Sequence, residues 1–162
     1  AIRHGNQITL VDTGFCKSHL EERKAKVMHF TSPSELLNRA ELDASQVSTV
    51  ILTHLHWDHS AAVNLFNKAK IICQKSDFEF FTNQSLKEFK PLTEFADRKT
   101  LRSLQRLYRQ GRMVLVDGNF KFSRNIKIFK RLLKKNLKDC ESSATPAFVS
   151  PSAVLSRRFA RR

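Results

Sequence analysis

The chain has 162 residues, 41% of them hydrophobic and 27% charged, which excludes a disordered or fibrous protein and fits one domain with its own core. No apolar run is long enough to span a membrane, no signal-peptide pattern opens the sequence, and three scattered cysteines do not suggest disulfides, so we expect a cytoplasmic protein with no membrane partner. The net charge of +14 is unevenly distributed along the chain. Residues 1–120 carry 17 Lys and Arg against 13 Asp and Glu, whereas residues 121–162 carry 12 Lys and Arg against 2 Asp and Glu. This distribution predicts a near-neutral globular part and a basic tail.

The first half of the chain alternates between strand-like and helix-like patterns. A strand over residues 7–12 ends at a turn that contains Gly14. Ser32 and Glu35 flank Pro33 in a pattern that opens a helix through about residue 40. Further predicted elements are a buried strand over 47–53, a short helix over 61–67 and a strand over 69–74.

The second half begins with a helical pattern from about residue 77 to 110, which Pro91 interrupts and Gly111 closes. Asp117-Gly118 predicts a hairpin between strands over 113–116 and 120–122, and a further strand is expected over 126–129. Residues 139–162 are expected to be poorly ordered. The domain organisation that we predict is a globular domain over 1–130 and a basic, disordered tail over 131–162.

One dense group of potential metal ligands follows the strand over 47–53. His54, His56, Asp58 and His59 lie within six residues, and imidazole and carboxylate groups are ligands that zinc and similar ions accept. Side chains two residues apart on an extended chain face the same side, so His54 and His56 can bind one ion together. If a helix then begins, Asp58 and His59 can serve a second ion. Two neighbouring ions can share one activated water, which predicts hydrolytic chemistry.

These residues resemble a known family. The segment Thr53–His59 reads THLHWDH and is similar to the HxHxDH signature of the metallo-β-lactamase superfamily, and Val11–Gly14, about 40 residues upstream, resembles that superfamily's first motif. Within the superfamily, residues 47–53, 64–66 and 69–74 resemble the N-acyl-homoserine lactonase-like branch. The resemblance covers about residues 7–130.

The resemblance implies an α/β fold, an αββα sandwich of two β-sheets flanked by helices, of which this chain holds the N-terminal half followed by a basic tail. It also implies two zinc ions, the first bound by His54 and His56 and the second by Asp58 and His59, with Asp58 as a catalytic residue that handles a proton. Asp12 would support the ligands or serve as a turn residue at the strand end. The implied reaction is metal-dependent hydrolysis, in which a metal-activated water attacks a small-molecule ester or lactone.

The sequence departs from the family pattern after about residue 130. The family completes its site with a third histidine, a bridging aspartate and a last histidine, but no histidine follows His59, and basic residues occupy 130–135, where the third histidine is expected. Two protein ligands for each ion are fewer than catalytic zinc normally takes. This break predicts a truncated or frame-shifted product that is inactive.

Three alternatives remain open at this point. The chain could be a nuclease of the same superfamily that acts on RNA or DNA, or a non-enzymatic basic binding module in which the motif is a relic or a structural metal clip. The four residues could also be surface or capping residues of a loop. Nucleic acid could bind through the basic tail, which ends in RRFARR. The substrate, the identity of the metal and the oligomeric state are not fixed by the sequence.

Overall fold

The computed structural model describes residues 1–22, 29–83, 95–124, 126–131 and 152–157. Its strands are β1 (Ile2–His4), β2 (Gln7–Val11), β3 (Val47–Ile51), β4 (Lys70–Gln74), β5 (Met113–Val116), β6 (Phe120–Lys121), β7 (Ile126–Arg131) and β8 (Ser152–Arg157). Its helices are α1 (Lys17–Glu22), α2 (Pro33–Arg39), α3 (Trp57–Ser60), α4 (Lys75–Thr82) and α5 (Arg98–Arg109), with 3-10 turns at Ala44–Gln46 and Val63–Leu65. Within this described part of the chain, no helix is both long and apolar enough to cross a membrane.

The strands form two sheets. The first has the order β1-β2-β3-β4-β5, in which β1 pairs antiparallel with β2 and the remaining pairs are parallel. The second is antiparallel, in the order β6-β7-β8. Because β2, β3 and β4 run in the same direction, their carboxyl ends meet at one edge of the first sheet, which is where α/β proteins usually place their ligand sites.

Two apolar clusters hold the layers together. On one face of the first sheet, Val50, Ile71 and Met113 pack with residues of the helices such as Leu37 and Leu104. On the other face, the first sheet packs against the second through five buried side chains, which are Ile51, Ile72, Val116, Ile126 and Ile128. The described residues therefore form a helix–sheet–sheet arrangement. Both faces of the first sheet are covered, which explains why consecutive residues are buried in the central strands, as Val50 and Ile51 are in β3 and residues 71–73 are in β4.

Local signals in the sequence predicted several helix ends correctly. Ser32 and Glu35 form a reciprocal capping box, in which the Glu35 amide donates to Ser32 Oγ at 3.2 Å and the Ser32 amide donates to Glu35 Oε2 at 2.9 Å. The helix expected over 61–67 is wrong in its position. A short helix begins earlier, at Trp57, and a 3-10 turn follows at Val63–Leu65.

The predicted hairpin around Asp117-Gly118 is wrong. β5 pairs in parallel with β4, and β6 pairs with β7 in the other sheet, so the chain crosses between sheets at this turn instead of folding back on itself. Gly118 has a φ of +83°, which only glycine adopts without strain, and its carbonyl accepts a hydrogen bond from Gln74 Nε2 at 2.9 Å. The glycine signal for a turn was correct, but the partner of each strand depends on which sheet buries its apolar side chains.

The expectation of disorder from residue 139 onward is wrong for Ser152–Arg157, because this segment pairs along its length with β7. The rest of that stretch, residues 139–151 and 158–162, lies outside the described residues, as does Pro91. The division into a domain over 1–130 and a tail over 131–162 stays a prediction.

Candidate metal centre

The candidate site forms where β2 and β3 end side by side. The parallel register pairs Val11 with Ile51, so the residues that follow the two strands emerge together at the sheet edge. Asp12 follows β2 in a left-handed backbone conformation, with a φ of +57°, and its amide donates to the Ile51 carbonyl at 2.9 Å. Aspartate tolerates this conformation better than most residues. The carboxylate is thereby directed toward the segment that contains Thr53 and the histidines.

The Asp12 carboxylate joins two parts of the HxHxDH segment. It accepts hydrogen bonds from the Thr53 amide at 2.7 Å and from Thr53 Oγ1 at 2.8 Å, and its Oδ2 lies 2.9 Å from His59 Nδ1. Thr53 Oγ1 in turn lies 3.1 Å from His54 Nδ1. One acidic side chain therefore fixes the orientation of His59 directly and that of His54 through a hydroxyl group.

This network assigns the protons on two of the imidazoles. An ionised carboxylate only accepts hydrogen bonds, so His59 Nδ1 and the Thr53 hydroxyl must both donate to Asp12. The Thr53 hydroxyl has a single proton, and it therefore accepts from His54 Nδ1. In their neutral forms, His54 and His59 carry their protons on Nδ1 and have a free lone pair on Nε2, which is the arrangement found in metal-binding histidines.

His56 contributes a nitrogen that has no partner in the described structure. Its Nε2 atom is buried and makes no hydrogen bond. The ring stacks on Phe95 with centroids 5.3 Å apart and meets Phe81 edge-on at 6.0 Å, so apolar groups hold it in place. A buried polar atom without a partner costs stability, and a metal ion would satisfy it.

Asp58 completes a group that can hold a cation. One ligand atom each from His54, His56 and Asp58 lies within 4.8 Å of the other two. Asp58 Oδ2 is also 3.5 Å from His59 Nε2, so this exposed carboxylate is close to the third histidine as well as to the first two. The ring centroids of His54 and His59 are only 3.9 Å apart. Three imidazoles and a carboxylate thus converge on one small region, and the donor types and spacing fit a divalent ion.

The electrostatics of the site keep two of the candidate ligands neutral. Burial, followed by the neighbouring imidazoles of His59 and His56, lowers the pKa of His54 to about 4. Burial also lowers the pKa of His56. The hydrogen bond to Asp12 has the opposite effect and raises the pKa of His59. Since metal ions bind the neutral imidazole, His54 and His56 are ready to bind at pH 7 without losing a proton.

Of the four residues that the sequence indicated, the structure brings His54, His56 and Asp58 together as one possible metal-binding group, and His59 lies beside this group, with its Nε2 atom 3.5 Å from Asp58 Oδ2. The isolated histidines lie elsewhere: His19 Nε2 is 3.8 Å from an Asp97 oxygen, and His29 is exposed. The side chain of His4 is outside the described residues. Sequence reasoning missed the role of Thr53, although its place directly before the first histidine, at a strand end, was a usable signal. It also missed the contact between Phe95 and His56, because no pattern in the sequence relates these two residues.

The model of the metallo-beta-lactamase superfamily matches residues 1–85, which is just over half of the chain. A curated relative, N-acyl homoserine lactonase AiiB from Rhizobium rhizogenes (strain K84 / ATCC BAA-868), is 39% identical over 44 residues, which cover 27% of this chain and 16% of the relative.

Two solved structures are similar over a longer stretch. A quorum-quenching N-acyl homoserine lactone lactonase has a TM-score of 0.60 at 19% identity, covering 78% of this chain and 47% of its own. AidC, a dizinc quorum-quenching lactonase, has a TM-score of 0.54 at 21% identity, and the match covers 78% of this chain and 45% of the AidC chain. At these identities the likeness establishes a shared fold and confirms the predicted α/β class. The chain spans about half the length of the two structures.

Proposed function

Because this chain belongs to the metallo-beta-lactamase superfamily, we propose that residues 1–130 form the metal-binding part of a metal-dependent hydrolase. The observation that carries this proposal is the convergence of His54, His56 and Asp58, whose ligand atoms lie within 4.8 Å of one another. The buried, unpartnered Nε2 atom of His56 supports it independently of any family likeness.

The proposed metal is zinc, since imidazole and carboxylate donors suit it, and the site is proposed to hold two ions. His54 and His56 would hold the first ion, and Asp58 and His59 the second. The distance of 3.5 Å between Asp58 Oδ2 and His59 Nε2 is consistent with these two residues serving the same ion. The dizinc lactonase AidC, which has the same fold, adds support.

A bound divalent ion supplies Lewis acidity, which lowers the pKa of water and stabilises negative charge on an oxygen. The chain's own residues would position and protect this chemistry. Asp12 and Thr53 hold two imidazoles with Nε2 free, and the rings of Phe81 and Phe95 shield His56 from solvent. Asp58 is exposed and 3.5 Å from His59 Nε2, so it is the group we assign to proton transfer with the substrate.

The substrate we propose is a small ester or lactone with an apolar portion. Trp57 lies within the ligand motif, and its ring is 4.9 Å from that of Phe15, which in turn stacks on Phe30 at 5.4 Å. This aromatic cluster next to the ligands offers an apolar surface to an acyl chain. The lactonases among the similar proteins favour a carboxylic ester or lactone over the phosphodiester of a nuclease.

We further propose that these 162 residues bind metal but turn over substrate poorly. Within these 162 residues no histidine follows His59, and the segment KRLLKK occupies 130–135, where the family resemblance implies the third histidine for the first ion. Typical enzymes of all classes turn over about 1 to 1,000 substrate molecules per second. A rate in that range from this chain would contradict the expectation of an incomplete site.

The proposal is tested with purified protein that has been loaded with Zn²⁺ and freed of excess metal. We expect retained zinc by elemental analysis, and slow release of acid from N-hexanoyl homoserine lactone with none from bis(p-nitrophenyl) phosphate. His56→Ala should remove both the zinc and any lactone hydrolysis. Lys70→Ala, at an exposed position at the amino end of β4, is the control. Phosphodiester cleavage without lactone hydrolysis would favour the nuclease, and zinc without either activity would favour a structural metal clip.

A further inference from the structure

One face of α5 carries a row of arginines. Arg98, Arg102, Arg106 and Arg109 are spaced four, four and three residues apart, so they project from the same side of the helix. All four are exposed. The opposite side of α5 faces the core through three buried residues, which are Thr100, Leu104 and Leu107. With a rise of 1.5 Å for each residue, the row extends for about 16 Å along the surface.

The charges of this row are not neutralised by the described structure. The sequence of α5 contains no acidic residue. Among the described residues, none of the four arginines forms an ion pair, and Arg109 Nε bonds only to the Gln105 carbonyl of the same helix, at 3.3 Å. Like charges four residues apart on a helix repel each other and destabilise it. A cost of this kind would be removed by an anionic partner along the row.

The carboxyl end of the row borders a polar depression. A cavity of about 290 Å³ lies between α5 and the turn before β4, and Arg106 and Gln110 form part of its wall together with Asn64, Asn67 and Arg112. Asn64 Nδ2 donates to Ser103 Oγ at 3.1 Å, which holds this amide beside the helix. The guanidinium of Arg112 is already occupied by the carbonyls of Phe66 and Ala69. The depression therefore adds amide groups that can bond sugar or base atoms next to the arginines.

We propose that the arginine row of α5 binds the sugar-phosphate backbone of a nucleic acid. Phosphate groups repeat along a strand, and arginine is the residue that most suits them. A protein partner is less compatible, because protein interfaces normally have an apolar centre, whereas cations and amides make up this face. The inference does not depend on the proposed hydrolase activity. It also differs from the sequence-based expectation, which assigned nucleic-acid binding to the basic tail.

Fluorescence anisotropy of the full chain with a labelled single-stranded RNA of about 20 nucleotides tests the proposal, since that length exceeds the usual site of one small domain. Removing two phosphate contacts should reduce the slope of log K against log salt by about 1.4. We therefore expect Arg102→Gln/Arg106→Gln to show this reduction and to bind about tenfold more weakly. Glutamine preserves helix propensity, and circular dichroism verifies the fold.

The matched control is Arg161→Gln/Arg162→Gln, which removes the same charge from the C-terminal end. A smaller loss in this control than in the α5 variant supports the proposal. Equal losses in both variants would show that binding follows net charge alone and would overturn it. An α5 variant that binds like the unmodified chain would overturn it as well. So would a labelled poly-glutamate peptide that binds more tightly than the RNA and depends on Arg102 and Arg106, because the partner would then be an acidic protein.

Discussion

Asp12 Oδ2 lies 2.9 Å from His59 Nδ1, and this hydrogen bond joins the end of β2 to the metal-ligand motif across 47 positions of sequence. The same carboxylate also holds Thr53, which contacts His54. Asp12 thus acts as the common support of two imidazoles that it leaves free at Nε2. Hydrogen bonds within the protein hold this arrangement.

We predict that Asp12→Asn lowers zinc affinity by about 10- to 100-fold, the usual effect of removing a group that orients a metal-binding histidine. An amide has one acceptor oxygen in place of two, so in either orientation its NH₂ group faces a donor, which is His59 Nδ1 or the Thr53 amide. Asparagine tolerates the positive φ at this position, so the backbone should persist. Competition titration with a zinc-binding dye measures the affinity. Asp117→Asn, at an exposed site, should leave it unchanged, and equal affinity in the two variants would contradict the role given to Asp12.

We predict that His56→Phe makes the metal-free protein more stable, by about 1 kcal/mol, while it abolishes the stabilisation that zinc provides. The substitution removes a buried nitrogen that has no partner and places a phenyl ring beside Phe81 and Phe95. Urea unfolding with and without zinc measures both effects, since a ligand that binds only the folded state raises its stability. A metal-free variant less stable than the unmodified chain would indicate that His56 has a structural role of its own.

The stability of the protein should depend on Asp97 below about pH 4. Asp97 caps α5, where its carboxylate accepts from the Thr100 amide at 2.7 Å and from the Thr100 hydroxyl at 2.6 Å. Partial burial raises its pKa, but the hydrogen bonds from Thr100 outweigh that effect and leave the pKa below its usual value. The stabilisation is therefore present above the pKa of the unfolded chain and is lost as the pH falls through the lower pKa of the folded state.

Asp97→Asn should separate this charge effect from capping. Asparagine caps helices about as well as aspartate, so we expect Asp97→Asn to lose only the charge-dependent part of the stability at pH 7 and to show a shallower decline in acid. Asp97→Ala should cost about 1 kcal/mol at pH 7 because the cap itself is lost. Urea midpoints across the acid range, in the presence of a chelator, give both values. If the urea midpoint falls equally with pH in Asp97→Asn and in the unmodified chain, Asp97 does not cause the loss of stability in acid.

The packing of α5 predicts a contrast between two leucines. Leu104 is fully buried against the first sheet, so Leu104→Ala should reduce the free energy of unfolding by about 2–5 kcal/mol. Leu36 is 54% exposed, and Leu36→Ala should change the free energy of unfolding by no more than about 0.5 kcal/mol. Denaturant unfolding of both variants measures the difference. Similar losses at the two positions would mean that α5 does not pack as described.

The ligand motif could be read from the sequence because it is local. His54, His56, Asp58 and His59 lie within six residues, and their spacing alone indicated a shared site. The support from Asp12 could be suggested only by family likeness, since its contacts with Thr53 and His59 depend on the parallel register of β2 and β3. That register is a property of the folded sheet, and 41 to 47 residues separate the partners.

In the fold, likewise, local features were predictable from the sequence and contacts between distant segments were not. The start of α2 followed from the capping residues Ser32 and Glu35, which interact within one turn of helix. The partners of β5 and β6 did not follow from the turn at Gly118, because a turn signal does not specify a sheet. In α5 the arginine spacing on the face opposite the buried Leu104 and Leu107 was overlooked.

The most direct test of the metal centre is the zinc content of the dialysed protein, compared with that of a His54→Ala/His56→Ala variant, by elemental analysis. If His54 and His56 bind zinc, we expect at least about one zinc ion for each chain in the unmodified protein and essentially none in the variant. A content near two would support the second pair of ligands as well. The same zinc content in both proteins, or none in either, would contradict the assignment of these side chains as metal ligands.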